Sequence, residues 1–263
     1  MKAFRLPSLF IAAMALTFSA CEKNAENIKD LSENKAASTS RVVYPFIGTD
    51  MSDSILPIRK LPGAVVRKGM YYPDVKVKLV DTVCADYLRQ TKKLDFSYLK
   101  DGDVVGTVRN NDLVLTVDPE FNGSGFQKLS HGTNGWWTHW NYLPYTEYEH
   151  PIVLFPLARP VTKVIPETYI AFSFNKRVKA FGFEIAPNAI GKDFEVSVAY
   201  HESPTYRDPG IFFVEQTISS PSGARLIAVE SDVPIVFIEI TVRVDALENV
   251  GFAIANLRYA LAD

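Results

Sequence analysis

Cysteine is scarce in this chain of 263 residues, which contains only Cys21 and Cys84. Two cysteines cannot build the disulfide framework that stabilises many small secreted domains. Cysteine-based zinc spacing and the H-E-x-x-H motif are also missing, and the four histidines are scattered along the chain. We therefore expect a fold stabilised by packing, without a bound metal or a cofactor.

An excess of positive charge is also missing. The chain has 28 Lys and Arg residues against 30 Asp and Glu residues, which gives a formal net charge of −2. Domains that bind nucleic acid usually carry a strongly basic surface, because the phosphate backbone is a dense array of negative charges. The composition therefore predicts no nucleic-acid partner.

No apolar run is long enough to span a bilayer as a helix. The apolar run at residues 6–18 follows Lys2 and Arg5, which is the layout of a secretory signal. The sequence Phe18-Ser19-Ala20-Cys21 then resembles a bacterial lipobox, with Phe18 where leucine is more usual. We predict a lipoprotein signal peptide at residues 1–20 and lipidation of Cys21, which would anchor the protein to the outer membrane or cell surface. The alternative is an ordinary signal followed by a chance cysteine.

The next seventy residues divide into two parts. Residues 21–41 are polar and nearly free of large apolar side chains, which indicates a disordered tether. Residues 42–93 form an N-terminal extension, in which the alternation of residues 75, 77 and 79 predicts a short strand. The sequence leaves open whether this extension packs on the following domain or forms a unit of its own.

One short helix is predicted after that strand, where apolar residues take helical spacing from Val80 to Leu88 and Asp81 or Thr82 can cap the N-terminus. Cys84 falls on the apolar face, and we interpret it as a small buried hydrophobe rather than a reactive thiol. If Cys21 carries lipid, Cys84 has no partner, so we expect no intramolecular disulfide.

From residue 94 to residue 263 the pattern is that of an all-β domain. In Tyr169–Ile185, two alternating apolar segments flank the polar residues Asn175–Arg177, which we interpret as a hairpin turn. Ile170, Phe172 and Phe174 share one face of the first segment, and Phe181, Phe183 and Ile185 share one face of the second. A second sheet must cover so many aromatic rings.

Further strands are predicted at residues 104–109, 113–117, 152–155, 194–200, 211–218, 225–229, 235–244 and 252–259. About ten antiparallel strands separated by Pro, Gly, Asn and Asp indicate a two-sheet β-sandwich or jelly roll. In the last strand the apolar parity changes, which predicts a bulge near Ala255-Asn256.

A family resemblance rests on the segments LDFSYLKDGDVVGTV, AFSFNKRVKAFGFEIAPN, GARLIAV, VPIVFIEIT and GFAIANLRYA. Together they resemble uncharacterised exported bacterial β-sandwich domains such as those in PEP-CTERM-type surface proteins. The resemblance covers residues 94–261 and implies a jelly roll similar to a carbohydrate-binding module. Relatives often carry an Asp-Asn pair where such folds can hold structural calcium, but this chain has Ala255 and Asn256 there.

All three tryptophans lie in the sequence GTNGWWTHWNYLPY at residues 132–145. A sugar ring can stack its apolar face on an indole ring, while polar side chains at the edge bind its hydroxyl groups. We therefore interpret this stretch as a candidate ligand-binding site. Its residues are Asn134, Trp136, Trp137, His139, Trp140 and Tyr142. The alternative is that the tryptophans fill the core or cover one end of the sandwich.

A second candidate is the loop at residues 201–210, HESPTYRDPG, in which Tyr206 and Arg207 are the predicted contacts. His201 continues the outward parity of Glu195 and Ser197, so we expect its side chain to face solvent. Loops at the end of a sandwich commonly carry recognition, although a solvated connector is the alternative.

Motifs of catalysis are weak. Gly123-Ser124-Gly125 lacks the strand-to-helix context of a nucleophile elbow. Asp118, Glu120, Glu147 and Glu149 lie near the tryptophans and would form a glycosidase pair only if they shared one cleft. We therefore expect a lipid-anchored, non-catalytic binding or adhesion module of the cell envelope, with glycan as the favoured ligand. The alternatives are an envelope assembly protein that docks a protein partner and, third, a polysaccharide-active enzyme.

Overall fold

The computed structural model describes residues 63–118, 125–130, 140, 144–148, 151–157, 168–187, 193–204, 208–219, 223–244 and 251–263. All of these residues belong to one compact unit, which spans residues 34–263. Within the described ranges there is one helix, and no helix is both long and apolar enough to cross a membrane. The predicted all-β class is confirmed.

Helix α1 runs from Ala85 to Gln90. The thirteen strands of the described residues are β1 (Val65–Lys68), β2 (Val77–Val80), β3 (Lys92–Lys93), β4 (Val104–Val105), β5 (Thr107–Arg109), β6 (Val114–Val117), β7 (Gly125–Leu129), β8 (Val153–Leu157), β9 (Tyr169–Pro187), β10 (Asp193–His201), β11 (Phe212–Ser219), β12 (Arg225–Val244) and β13 (Phe252–Leu261). Every strand pair is antiparallel.

Two long strands, β9 and β12, pair with each other along most of their length and belong to both layers of the sandwich. In the front layer the order is β1, β11, β10, the second half of β12, the first half of β9, β6 and β5. In the back layer the order is β2, the first half of β12, the second half of β9, β13, β8, β7 and β4. The predicted two-layer sandwich therefore forms from strands that bend from one layer into the other.

The bend replaces the predicted hairpin turn. Residues 175–177 are exposed, but they lie inside the continuous strand β9 rather than between two paired strands. The register of β9 with β12 shifts between Glu230 and Ile235 and again between Ile235 and Phe237. Pro234 lies in this irregular part of β12, where a missing backbone N–H does not interrupt a regular ladder. The hairpin prediction was wrong because a polar bulge and a polar turn leave the same local pattern.

Aromatic side chains from the two halves of β9 meet in the core. The ring centroids of Phe174 and Phe181 are 4.9 Å apart, and those of Phe172 and Phe181 are 5.8 Å apart. All six core residues predicted for this stretch are buried in one cluster: Ile170, Phe172, Phe174, Phe181, Phe183 and Ile185. Since the bulge inverts the parity, both halves of the strand turn their apolar face towards the space between the layers.

The sandwich is closed along one side by β4 and β5, which continue one another around Gly106. β4 pairs with β7 in the back layer and β5 pairs with β6 in the front layer. Gly125, the first residue of β7, has φ = 106°, and a Cβ there would lie 2.3 Å from the carbonyl oxygen of Val105. Only glycine fits this conformation and this close approach.

The described part of the N-terminal extension, residues 63–93, packs on the sandwich. β1, β2 and β3 add to the strands β11, β12 and β13, respectively. The predicted short strand and helix are both present, although the helix begins at Ala85 and has Cys84 as its N-cap residue. Cys84 is disulfide-bonded, so the expectation of a lone thiol is wrong. That expectation depended on lipidation of Cys21, which would occupy the sulfur atom of this cysteine. Cys21 lies outside the described residues.

The predicted bulge in the last strand is confirmed. The register of β13 with β9 shifts between Ala255 and Arg258, and Asn256 has φ = 48°. Asparagine tolerates this left-handed conformation better than most residues. The bulge changes which face the following side chains occupy, so that Leu257 and Tyr259 join the core while Arg258 lies on the outer side of the back layer.

Candidate functional site

The outer face of the back layer is lined by unusually small residues. Gly182 and Ala186 on β9 lie beside Ala228 on β12, Ala253 and Ala255 on β13. A Cβ at residue 182 would lie 2.4 Å from both the Tyr87 hydroxyl oxygen and the Ala228 Cβ. Small side chains therefore leave room for large groups to pack directly against the sheet.

Two elements use this room. Helix α1 places Tyr87 against the sheet, where it is buried with Leu226 and Ala228. Residues 140 and 144–148, which we call the aromatic segment, pack nearby. Trp140 is fully buried in a cluster formed by the residues Leu129, Val153, Phe155, Leu157, Ala186, Ala224, Ala253 and Ala255.

A buried carboxylate, Glu184, binds the aromatic segment. Trp140 Nε1 donates a hydrogen bond of 2.6 Å to Glu184 Oε2, and the backbone N–H of Glu147 donates one of 2.6 Å to Oε1. Glu184 has no exposed surface. Burial raises the pKa of its carboxyl from 4.5 to about 7, although the two N–H donors and the nearby Asn256 side chain act in the opposite direction.

The side chain of Glu147 turns away from Glu184 and forms an ion pair with Arg258. Arg258 Nε donates to Glu147 Oε1 at 2.6 Å and Nη2 donates to Oε2 at 3.2 Å, so the pair is bidentate. Arg258 Nη1 also reaches the carbonyl oxygens of Leu88 and Thr91 at 3.4 and 3.3 Å. This arginine therefore links the aromatic segment, helix α1 and the final strand.

Lys93 completes the polar network. Its Nζ donates to Asn256 Oδ1 at 2.5 Å and lies 3.5 Å from Glu147 Oε2. The ammonium group also lies 4.5 Å from the centre of the Tyr148 ring, within the range of a cation–π contact. Burial lowers the pKa of Lys93.

The aromatic segment also reaches the surface. Tyr148 is 52% exposed, and Arg225 lies 4.1 Å from the centre of the Tyr145 ring. The segment thus has a buried tryptophan at one end and an exposed tyrosine at the other. This arrangement holds an exposed aromatic ring beside the sheet.

Among the eight predicted ligand-binding residues, only Trp140 lies in the described part of the chain. Its ring has no exposed surface, so in this structure it anchors the segment and does not stack on a ligand. The others lie outside the described residues: Asn134, Trp136, Trp137, His139, Tyr142, Tyr206 and Arg207.

His201 is buried, which contradicts the expectation that it faces solvent. Its ring packs edge-on against Phe237 at 5.4 Å, and Nδ1 lies 3.1 Å from the carbonyl oxygen of Asp208. Burial lowers the pKa of the imidazole. The parity argument was wrong for this residue because contacts with Phe237 and with the Asp208 carbonyl oxygen bury its ring.

The predicted group of four acids does not form a carboxylate pair within the described residues. Asp118 follows β6 and donates its N–H to Ala171 in the front layer, whereas Glu147 contacts the back layer. Glu120 and Glu149 lie outside the described residues. No group of three or more His, Cys, Asp and Glu side chains in the described ranges is placed to hold a metal ion.

Sequence reasoning missed Glu184. One signal was present, because Glu184 is the only charged residue of the stretch AFGFEIAP and shares its face with Gly182 and Ala186. A charge among small residues on an otherwise apolar strand indicates a covered face with a specific polar partner. The partner itself is 44 residues away in the sequence, at Trp140.

No protein-family model and no curated protein matches the chain. One similar solved structure is the enzymatically active domain of tailspike protein 4 from bacteriophage CBA120, with 16% identity and a TM-score of 0.26 over 58% of this chain and 20% of that one. Another is the CBM22-1–GH10 portion of xylanase 10B from Clostridium thermocellum, complexed with xylohexaose, with 11% identity and a TM-score of 0.21 over 70% of this chain and 28% of that one. The chain thus spans less than a third of either structure.

The class of protein is therefore defined by the fold and the site themselves. It is an antiparallel β-sandwich in which one outer sheet face carries an aromatic segment, held by a buried carboxylate and a bidentate ion pair.

Proposed function

We propose that this protein is a non-catalytic binding module of the cell envelope that recognises glycan through its aromatic segment. The observation that carries the proposal is the attachment of this segment to the sheet through Trp140, Glu147 and Glu184. A binding surface held rigidly before the ligand arrives loses less conformational entropy on binding.

Two features of the segment favour sugar as the ligand. The half-exposed ring of Tyr148 offers a flat apolar surface with a polar edge, which matches the apolar face and the hydroxyl groups of a pyranose. Trp136 and Trp137 adjoin the segment in sequence and are the further stacking residues of this proposal.

The test is a glycan array followed by titration of any ligand found, using the whole chain. We expect Tyr148→Ala, Trp136→Ala and Trp137→Ala each to weaken binding by about tenfold, since loss of a stacking ring removes roughly 1–2 kcal/mol. Tyr98→Ala is the matched control, because Tyr98 is 55% exposed but lies between β3 and β4, in a different part of the chain. Equal affinities for all four variants, or no ligand on any array, would rule out the glycan proposal.

We also propose that a lipid on Cys21 attaches the module to the membrane. The lipobox-like sequence supports this. The disulfide that the structure gives Cys84 and a thioether at Cys21 exclude each other within one molecule, because the chain has two cysteines only, so the lipidated form would carry Cys84 as a thiol. Metabolic labelling with palmitate should mark the wild type and Cys84→Ala but not Cys21→Ala. Retention of the label in Cys21→Ala would contradict the anchor. So would an unlabelled wild-type chain whose mass is 2 Da below that of the reduced chain, since this difference indicates a disulfide.

A further inference from the structure

The Glu184 contact, defined here as the hydrogen bonds from Trp140 Nε1 and Glu147 N to the Glu184 carboxyl, joins the aromatic segment to the sheet. The Glu184 carboxyl has no exposed surface, and two of its hydrogen-bond donors, Trp140 Nε1 and the Glu147 N–H, come from the aromatic segment. If the segment left the sheet, Glu184 would meet water. Opening of the aromatic segment and solvation of the Glu184 carboxyl are therefore the same structural event.

We propose that the Glu184 contact is proton-linked, so that the aromatic segment stays closed over the sheet while Glu184 holds a proton and opens more often once that proton is lost to solvent. The proposal rests on the proposed function in one respect only. If the aromatic segment binds the ligand, then ligand binding depends on pH through this segment. Opening itself can be measured without any ligand.

Several charged or ionisable groups face Glu184 from the elements around it. Glu147 faces it from the aromatic segment, and Tyr87 faces it from α1. Lys93 lies on β3, and Arg258 lies on β13 bound to Glu147. The bidentate Arg258 contact directs the Glu147 side chain away from Glu184.

On β12, next to the strand that carries Glu184, Arg225 stacks on Tyr145. This cation–π contact joins the aromatic segment to the sheet and does not titrate near neutral pH, since arginine keeps its charge. Burial lowers the pKa of the Lys93 ammonium. The Arg225 contact supplies no alternative proton switch between pH 5 and 8.

The direction of the effect follows from linkage. Burial raises the pKa of Glu184 from 4.5 to about 7 in the closed state, whereas a solvated carboxyl would keep the lower value. The closed state therefore binds more protons than the open state between these two pH values, and raising the pH through this window favours opening. The difference of about 2.5 pKa units sets an upper limit of about 300-fold on the change in the opening equilibrium.

The experiment is hydrogen exchange of the Glu147 backbone amide in the whole chain, followed by NMR from pH 4.5 to 8 and corrected for the intrinsic exchange rate. We expect the protection of this amide to fall by 30- to 300-fold as the pH rises, estimated from the linkage above. Glu184→Gln removes the titrating group and should make the profile flat. Glu239→Gln, which removes a half-buried carboxyl of raised pKa in the front layer, should leave the wild-type profile unchanged.

A wild-type profile that is flat from pH 5 to 8 would overturn the proposal, as would the same pH dependence in Glu184→Gln. Should Glu184→Gln fail to fold, direct NMR titration of the Glu184 carboxyl in the wild type replaces it. Its midpoint must then coincide with the midpoint of the amide exchange, and a separation of more than one pH unit would overturn the proposal. Since no ligand is present, a failed glycan screen leaves this result interpretable.

Discussion

Trp140→Ala is expected to lower the free energy of unfolding by about 3–5 kcal/mol, the range measured for tryptophan or phenylalanine truncation in a protein core. Trp140 is fully buried against small residues such as Ala186, Ala253 and Ala255, which cannot extend to fill the space it leaves. The substitution also removes the N–H donor to Glu184. Urea denaturation followed by circular dichroism measures the change.

The matched variant Trp140→Phe separates packing from hydrogen bonding. It keeps most of the ring volume but removes Nε1, so the loss should be about 1–3 kcal/mol, the usual effect of leaving a buried polar group without one partner. If the free energy of unfolding of Trp140→Ala lay within 1 kcal/mol of the wild-type value, residue 140 would not anchor the aromatic segment. The binding proposal would then lose its structural basis.

Arg258→Met is expected to have a similarly large effect, about 3–5 kcal/mol, because it leaves Glu147 as a buried charge without its bidentate partner. The side chains of Arg258 and Glu147 are only 12% and 5% exposed, so water cannot replace the lost contact. Lys93 lies 3.5 Å from Glu147 but is already bonded to Asn256. Thermal and urea denaturation at pH 7 measure the loss.

Two controls make the Arg258 experiment specific. The double variant Arg258→Met with Glu147→Gln removes both charges and should recover a large part of the lost stability, since no unpaired charge remains. Arg67→Met removes a pair with Glu215 whose side chains are 68% and 44% exposed, and it should change stability by less than about 1 kcal/mol. Equal effects of Arg67→Met and Arg258→Met would contradict the assignment of Arg258 as a buried link.

Several features of the fold could be predicted from local sequence. Alternation of Phe and Ile with small or polar residues identified the core face of β9 on both sides of its bend. A change of parity identified the bulge at Ala255-Asn256, because a bulge adds one residue and reverses the faces beyond it. Helical spacing identified α1 to within a few residues. In each case the signal spans fewer than twenty residues and depends only on backbone periodicity.

Other features depend on which distant strand lies alongside. Asn175–Arg177 is polar in either a hairpin turn or a bulge, and only the pairing with β12 makes the strand continuous. His201 follows an outward parity, yet contact with Phe237 and the Asp208 carbonyl buries it. Local periodicity states which residues share a face, but it does not state what covers that face.

The candidate site shows the same division. Periodicity and composition were enough to predict an antiparallel β-sandwich rich in aromatic residues and a tryptophan-bearing stretch as a candidate binding site. The roles of Trp140 as an anchor and of Glu184 as its partner come from long-range packing, because their hydrogen bond joins residues 44 positions apart in the chain. The pKa of a carboxyl depends on the water and the charges around it, and those are set when remote segments pack together.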